Sequence, residues 1–279
     1  MIASPENVIH IGEGLDHPEG VCVGPDGAVY AGGEAGQLYR IQPDGSQEQV
    51  ASTGGFLLGI ALDGNGNVHA CDMGGPSVVS ISPDGEVRTR STGTEERPFE
   101  VPNYPVFDAQ GNLYVSDSGD YWSETGTGCV MVIRPDDSTE IFHSGPFHFA
   151  NGLAIDPSQE WLYVVQSRAA NVVRVPLGHK DGSMEVTHQL PEHSVPDGLA
   201  FATDGSLVIA CYRPDIVHVG HPDGTVEVLI EDMTAELLLR PTNAALHGGK
   251  LYLANLGGWN ISVVETDLQP VPLNRPVLS

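Results

Sequence analysis

Positive charge is scarce in this chain. Twelve Lys and Arg residues stand against 37 Asp and Glu over 279 residues, a formal balance of −25. A surface of that sign repels phosphate backbones and anionic bilayers, so nucleic acid and membrane surface are excluded as expected partners. No stretch approaches the ~18 consecutive apolar residues of a transmembrane helix. The opening Met1-Ile2-Ala3-Ser4-Pro5-Glu6-Asn7 has no basic segment running into an apolar one, so no secretory leader is expected. Cysteine is limited to Cys22, Cys71, Cys129 and Cys211, with no CxxC pair. That spacing argues for buried free thiols in a cytoplasmic protein over disulfides. There is no serine nucleophile elbow, no glycine loop cradling phosphate, and no long helical periodicity.

What is present is repetition. The phrase Pro196-Asp197-Gly198-Leu199-Ala200-Phe201 recurs as Glu19-Gly20-Val21, Leu58-Gly59-Ile60, Asn103-Tyr104-Pro105, Asn151-Gly152-Leu153 and Thr242-Asn243-Ala244. Glu19, Leu58, Asn103, Asn151, Asp197 and Thr242 in these phrases are spaced by 39, 45, 48, 46 and 45. A period of about 40–45 residues filled with short strand-like runs is the signature of propeller blades. Six such repeats account for nearly the whole chain, so residues 1–279 are expected to form one all-β, six-bladed β-propeller domain. The 34 glycines and 21 prolines fit many strands joined by tight turns such as Gly24-Pro25-Asp26-Gly27.

Taken in order, each repeat offers an inner strand (Gly20–Val23 in the first), a second (Ala28–Ala31) and a third (Gln37–Ile41). The third repeat carries a longer insertion, residues 117–128, holding Tyr121 and Trp122. The sixth runs into Pro270, Pro272 and Pro276 where an outer strand should stand, and proline is a poor strand former. Asn7–Gly12, meanwhile, is a strand without a blade. The economical arrangement has the N-terminal strand complete the last blade and close the ring, leaving no open edge at the seam.

Equivalent positions of each repeat form a ring around a propeller's axis. The marked position reads Glu19, Leu58, Asn103, Asn151, Asp197 and Thr242. Glu19, Asn103, Asn151 and Asp197 are therefore expected to converge at one mouth of the central channel. Carboxylates with amide carbonyls are the ligand set of a hard dication, most simply Ca2+; zinc or copper would call for histidine or cysteine, which the column lacks. Asn and Asp before Gly are also ordinary turn residues. Register separates the two cases, because Pro25-Asp26-Gly27 follows an inner strand whereas Asp197 precedes one.

With these phrases, and Pro18-Glu19-Gly20, Asn151-Gly152-Leu153-Ala154-Ile155-Asp156 and Pro241-Thr242-Asn243 among them, the chain resembles the senescence-marker-protein, gluconolactonase and luciferin-regenerating-enzyme family over essentially its whole length. The resemblance implies a six-bladed propeller holding one catalytic divalent ion, often calcium, and hydrolysing lactones. Related phosphatase and paraoxonase propellers carry a similar Glu, Asn, Asn, Asp set, which maps onto Glu19, Asn103, Asn151 and Asp197. Sugar-lactonase members carry an Arg-x-Asn-Asp-Gly phrase in the third blade. This chain reads Val101-Pro102-Asn103-Tyr104-Pro105 there, so gluconolactone-type substrates are not favoured and Tyr104 points to a less polar pocket.

The expected chemistry is hydrolysis of a small-molecule lactone or ester. The ion would polarise the carbonyl, and a carboxylate, Asp197 first and Glu19 second, would accept the proton of water. Substrate contacts are expected from Tyr104, Glu34, Trp122 (a lid with Tyr121), His148 and Tyr212, with Asp72 and Asp117 as further rim candidates. The alternatives are a phosphotriesterase on the same site and a ligand-binding propeller without catalysis. A monomer or small homo-oligomer suits the fold.

Overall fold

The computed structural model describes residues 7–278, so the leader reading on Met1–Glu6 lies outside the described residues. Six four-stranded antiparallel sheets, each a meander, make six propeller blades. Among the described residues there is no α-helix, and none long and apolar enough to cross a membrane. The innermost strands are Gly20–Val23, Leu57–Leu62, Pro102–Phe107, Ala150–Ile155, Val195–Phe201 and Pro241–His247. Each packs on the innermost strands of both neighbours, and the sixth packs on the first.

The Pro-Asp-Gly phrase turns hairpins, Pro25-Asp26-Gly27 the inner one of blade one and Pro43-Asp44-Gly45, Pro83-Asp84-Gly85 and Pro222-Asp223-Gly224 the outer ones of blades one, two and five. Gly24 C=O accepts from Gly27 N at 3.0 Å, Gly27 has φ +83°, and Gly24 N donates to Ala28 O at 2.7 Å. This is a type I turn closed by a left-handed glycine, a three-residue hairpin loop whose twist suits the strands. The Asp26 carboxylate, accepting from Ala28 N at 3.1 Å, stiffens it. The outer strands, such as Gln47–Ser52 and Val87–Ser91, are mostly exposed and polar. That is why apolar alternation alone does not announce them.

Ile9–Ile11 pairs antiparallel with Ile261–Glu265, Ile9 opposite Val263 and Ile11 opposite Ile261, and is the outer strand of the sixth sheet. The prolines that follow the sixth blade have another use. Residues Pro270–Arg275 lie across an apolar cavity of about 110 Å³ lined by the later halves of all six inner strands. Val271 N donates to Phe201 O, Asn274 Nδ2 to Phe107 O, and Arg275 to Val23 O, so the segment crosses from blade five to blades three and one. An extended, proline-rich segment with few free N–H groups can lie over a sheet end without needing a ladder. Removing residues 269–279 is expected to lower the melting temperature by several degrees and to admit an apolar dye to the channel. An unchanged melt with no dye binding would mean the segment does not seal it.

Candidate functional site

At the other end of the channel the openings of the inner strands enclose a cavity of about 330 Å³ whose walls include Glu19, Asn103, Asn151 and Asp197. Local structure aims these side chains. In blades two to six the inner strand carries one extra residue at this point: Pro102 opposes Asp117 and Pro105 opposes Val115, and likewise around Leu58, Asn151, Asp197 and Thr242. A bulge interrupts the alternation of faces and re-aims a side chain. The marked residues therefore lie inside the strands, not before them, with Glu19 alone just outside.

The glycine that follows four of them is required by packing. A Cβ on Gly20, Gly59, Gly152 or Gly198 would run into the backbone of the next blade, at Leu58 O, Asn103 O, Asp197 O and Thr242 O respectively. Glycine here is not the turn residue that Asn-Gly and Asp-Gly suggest in a sequence.

The electrostatics are those of a site short of positive charge. Glu19, Asn103, Asn151 and Asp197 are all buried. Burial raises the Glu19 carboxyl well above the usual carboxylate range, and the nearby Asp197 raises it further. Burial likewise pushes Asp197 from 3.8 up to about 7, offset in part by a hydrogen bond from the Asn151 amide. Asn243 Nδ2 reaches Glu19 Oε2 at 3.4 Å. Asn103 Oδ1, Asn151 Oδ1 and Asp197 Oδ1 are buried with no donor from the protein. Leaving such an acceptor unpaired costs about 1–3 kcal/mol each, and three sharing one cavity with a second carboxylate make a set that a hard cation can satisfy.

A second group, Asp16, His17 and Glu34, has ligand atoms within 4.8 Å of one another. It is only partly buried, and its atoms already have partners: Asp16 Oδ2 accepts from Ala35 N and Gln37 Nε2, and His17 Nδ1 lies 2.9 Å from Glu34 Oε2. Glu34 is not among the residues that line the cavity.

Other expected contacts are placed differently as well. Tyr104 is buried at the start of the opposite, apolar half of the channel, because the residue after a marked position points toward the neighbouring blade. Trp122 is 80% exposed. It is Tyr121 that lines the cavity, its ring edge-on to Phe149 at 5.1 Å, in a loop held by Arg168 donating to the Tyr121 and Ser123 carbonyls. His148 is outside the lining and its neighbour Phe149, at φ +64°, is in it. Asp72 and Asp117 are buried acceptors for Phe56 N and for Glu100 and Val101 N, anchoring the loops that lead into the inner strands. Tyr212 does line the cavity, as the extra residue between Cys211 and Arg213.

Of the remaining wall, Phe56, Leu58, Met73, Val101, Phe149, Val195 and Leu256 are apolar, while Ser167 and the exposed Arg213 are polar. Apart from Leu58, these residues went unread in the sequence. Phe56, Val101 and Phe149 do stand two positions before their marked residues in blades two to four, a second period that was available to find them. All four cysteines are buried and free.

The family profile described as SMP-30/Gluconolactonase/LRE-like region matches residues 34–254, and a strictosidine synthase-like N-terminal profile matches residues 7–41. Lactonase drp35 of Staphylococcus aureus is 26% identical over 147 residues, covering 50% of this chain and 44% of that protein. The chain thus spans less than half the length of the curated relatives it matches. A gluconolactonase from Xanthomonas campestris is similar with a TM-score of 0.77 and 17% identity, over 95% of this chain and 89% of that one. Regucalcin from Agrobacterium tumefaciens, a calcium-binding protein, is similar with a TM-score of 0.78 and 16% identity, over 100% and 99%. Likeness at these identities shows the fold alone.

Proposed function

The chain belongs to the SMP-30/gluconolactonase/LRE-like family, and on that footing we propose that it is a metal-dependent hydrolase of lactones. The observation that carries the reading is the convergence of three donorless buried oxygens and the Glu19 carboxyl on one cavity. Glu19, Asn103, Asn151 and Asp197 would hold a divalent cation, Ca2+ by the hardness of its four oxygen donors. When bound, the cation supplies Lewis-acid polarisation of the carbonyl and stabilises the developing oxyanion.

The rest falls to the chain. Asp197 accepts a proton from the water whose oxygen adds to the carbonyl carbon. The ring C–O bond then breaks, and the proton passes to the departing alkoxide to give a hydroxy acid. Glu19 supplies the second negative charge. Phe56, Met73, Phe149 and Leu256 exclude water and favour a lactone with an apolar substituent over a polyhydroxylated one, and Tyr212 lies beside it.

The test is a panel of apolar lactones, gluconolactone, an aryl ester and a phosphotriester, assayed after chelation with and without added calcium. Apolar lactones should be hydrolysed best and only with the ion restored. Activity surviving chelation would remove the metal role; no lactone turnover in any condition would remove the reading.

A pH dependence follows from the buried carboxyl. Because Asp197 rises from 3.8 to about 7 in the folded, metal-free chain, the folded state holds a proton that the unfolded state has lost between those values. Metal-free stability should therefore fall as pH rises through that window and level off above it. Calcium binding displaces the proton, so the calcium-induced gain in melting temperature should grow over the same range. A gain independent of pH would show that proton and cation do not compete at Asp197.

A further inference from the structure

We infer that Ser118 and Ser167 set the polarity of two asparagine side chains, so that Asn103 and Asn151 present oxygen, not nitrogen, to the cavity. This goes beyond the cation reading above and takes its functional meaning from it. The two ends of an asparagine amide have nearly the same shape but opposite hydrogen-bonding character. A flipped amide would aim N–H donors at a cation.

Each serine hydroxyl has one hydrogen. Ser118 Oγ lies 2.7 Å from Ala150 O and Ser167 Oγ 2.7 Å from Pro196 O. A carbonyl cannot donate, so in both pairs the serine must spend its hydrogen there. Its lone pairs remain, and they can only accept. Asn103 Nδ2 at 3.0 Å from Ser118 Oγ and Asn151 Nδ2 at 3.2 Å from Ser167 Oγ are the matching donors. The amide oxygens are thereby turned away, and they are two of the donorless oxygens of the cavity. All four side chains are buried.

The pattern across the repeats agrees. The residue after the second strand donates its N–H to the loop before the inner strand in four blades: Met73 to Phe56 O, Ser118 to Val101 O, Ser167 to Phe149 O, Leu256 to Arg240 O. Serine stands there in the two blades whose marked residue is asparagine. In blades two and six, marked by Leu58 and Thr242, the same position holds Met73 and Leu256. Blades one and five carry carboxylates, whose two oxygens are alike and need no orienting. A hydroxyl serving only as a clamp between neighbouring blades would be equally useful in blades two and six. The clamp adds a second effect: Ala150 and Pro196 immediately precede Asn151 and Asp197, so each serine ties one proposed ligand to the strand bearing the next.

The test is a double-mutant comparison read by calorimetric titration of chelated protein with Ca2+ alone. Ser118→Ala should weaken calcium binding by about 10–100-fold, the usual effect of removing a residue that orients a ligand. Ser118→Thr, which keeps the hydroxyl, should restore it. In the Asn103→Asp background both ends of the side chain are oxygen and polarity no longer matters. Removing the serine there should leave affinity within about two- to threefold, as for uncoupled sites, or improve it by relieving the lone-pair contact.

Equal losses in both backgrounds would overturn the inference and make Ser118 a structural clamp, and no loss in the unsubstituted background would overturn it too. Ser167→Ala with Asn151→Asp is the second set; the Asn151 amide also donates to Asp197, so its loss should be smaller but still confined to the asparagine background, and it decides the matter should Ser118→Ala fail to fold by thermal melt. A readout free of any metal separates this inference from the cation reading. The side-chain amide protons of Asn103 and Asn151 should exchange with solvent faster in the serine variants, and unchanged exchange in both would overturn the inference even if the unsubstituted protein binds calcium.

Discussion

Asp197→Asn is expected to lower lactone turnover at saturating calcium by roughly 10²–10⁴, the usual contribution of a general acid–base group. The substitution keeps a side-chain oxygen at a position where Asp197 Oδ1 has no protein donor, but removes a charge and the proton acceptor. Calcium should still bind, more weakly, because one of two carboxylates in a buried site is gone. Asn151→Asp is the control: it adds charge and leaves the proposed base in place, so calcium affinity should rise. The measurement is turnover at saturating calcium beside calorimetric affinity for each variant. Near-normal turnover of Asp197→Asn once calcium saturates would make Asp197 a ligand only, and Glu19 would become the leading base.

Deleting residues 1–12 should lower the melting temperature on the order of 5–15 °C, from a loss of a few kcal/mol at about 2–4 °C per kcal/mol in a chain of this size. The strand Ile9–Ile11 covers the edge of Ile261–Glu265, whose Ile261, Ser262 and Val263 are buried. Ile11 packs on the cluster containing Leu15 and Ile261, Val8 packs on the one containing Leu246 and Val264, and His10 Nε2 reaches Leu237 O at 2.8 Å. The deletion removes these contacts and leaves a free edge able to pair with another chain, so concentration-dependent association should accompany the lower melt. A truncated protein melting at the original temperature would show that the N-terminal strand contributes nothing to holding the ring.

The legible part of the site was the part repeated with the blade. Glu19, Asn103, Asn151 and Asp197 share one register, and in a ring one register is one height on the axis, so their meeting in a single cavity follows from the period. Ser118 and Ser167 were within reach by the same reasoning, since each lies 15 or 16 residues after its asparagine. Their meaning, though, depends on a carbonyl of the neighbouring blade. Glu34, Trp122 and His148 were expected from their nearness in sequence to strand ends, which does not say where a side chain points. Glu34 is drawn to His17, and the insertion carrying Trp122 is anchored through Tyr121 and Arg168.

Local chemistry, then, is what the amino-acid sequence by itself determined: strands from alternating apolar runs, hairpins from Pro-Asp-Gly, six blades from a period of about 45 residues, and a shared height for four oxygen-bearing side chains. These depend on neighbours within a few residues or on simple repetition. Contacts between blades decided the rest. The bulges that turn Asn103, Asn151 and Asp197 toward the axis, the close approach that admits only Gly20, Gly59, Gly152 and Gly198, and the placing of Tyr104 on the apolar side come from packing six inner strands around one axis. So do the serine bonds that orient two amides and the laying of Pro270–Arg275 across the far mouth. Each requires atoms tens to hundreds of residues apart to meet, and only closing the ring brings them together.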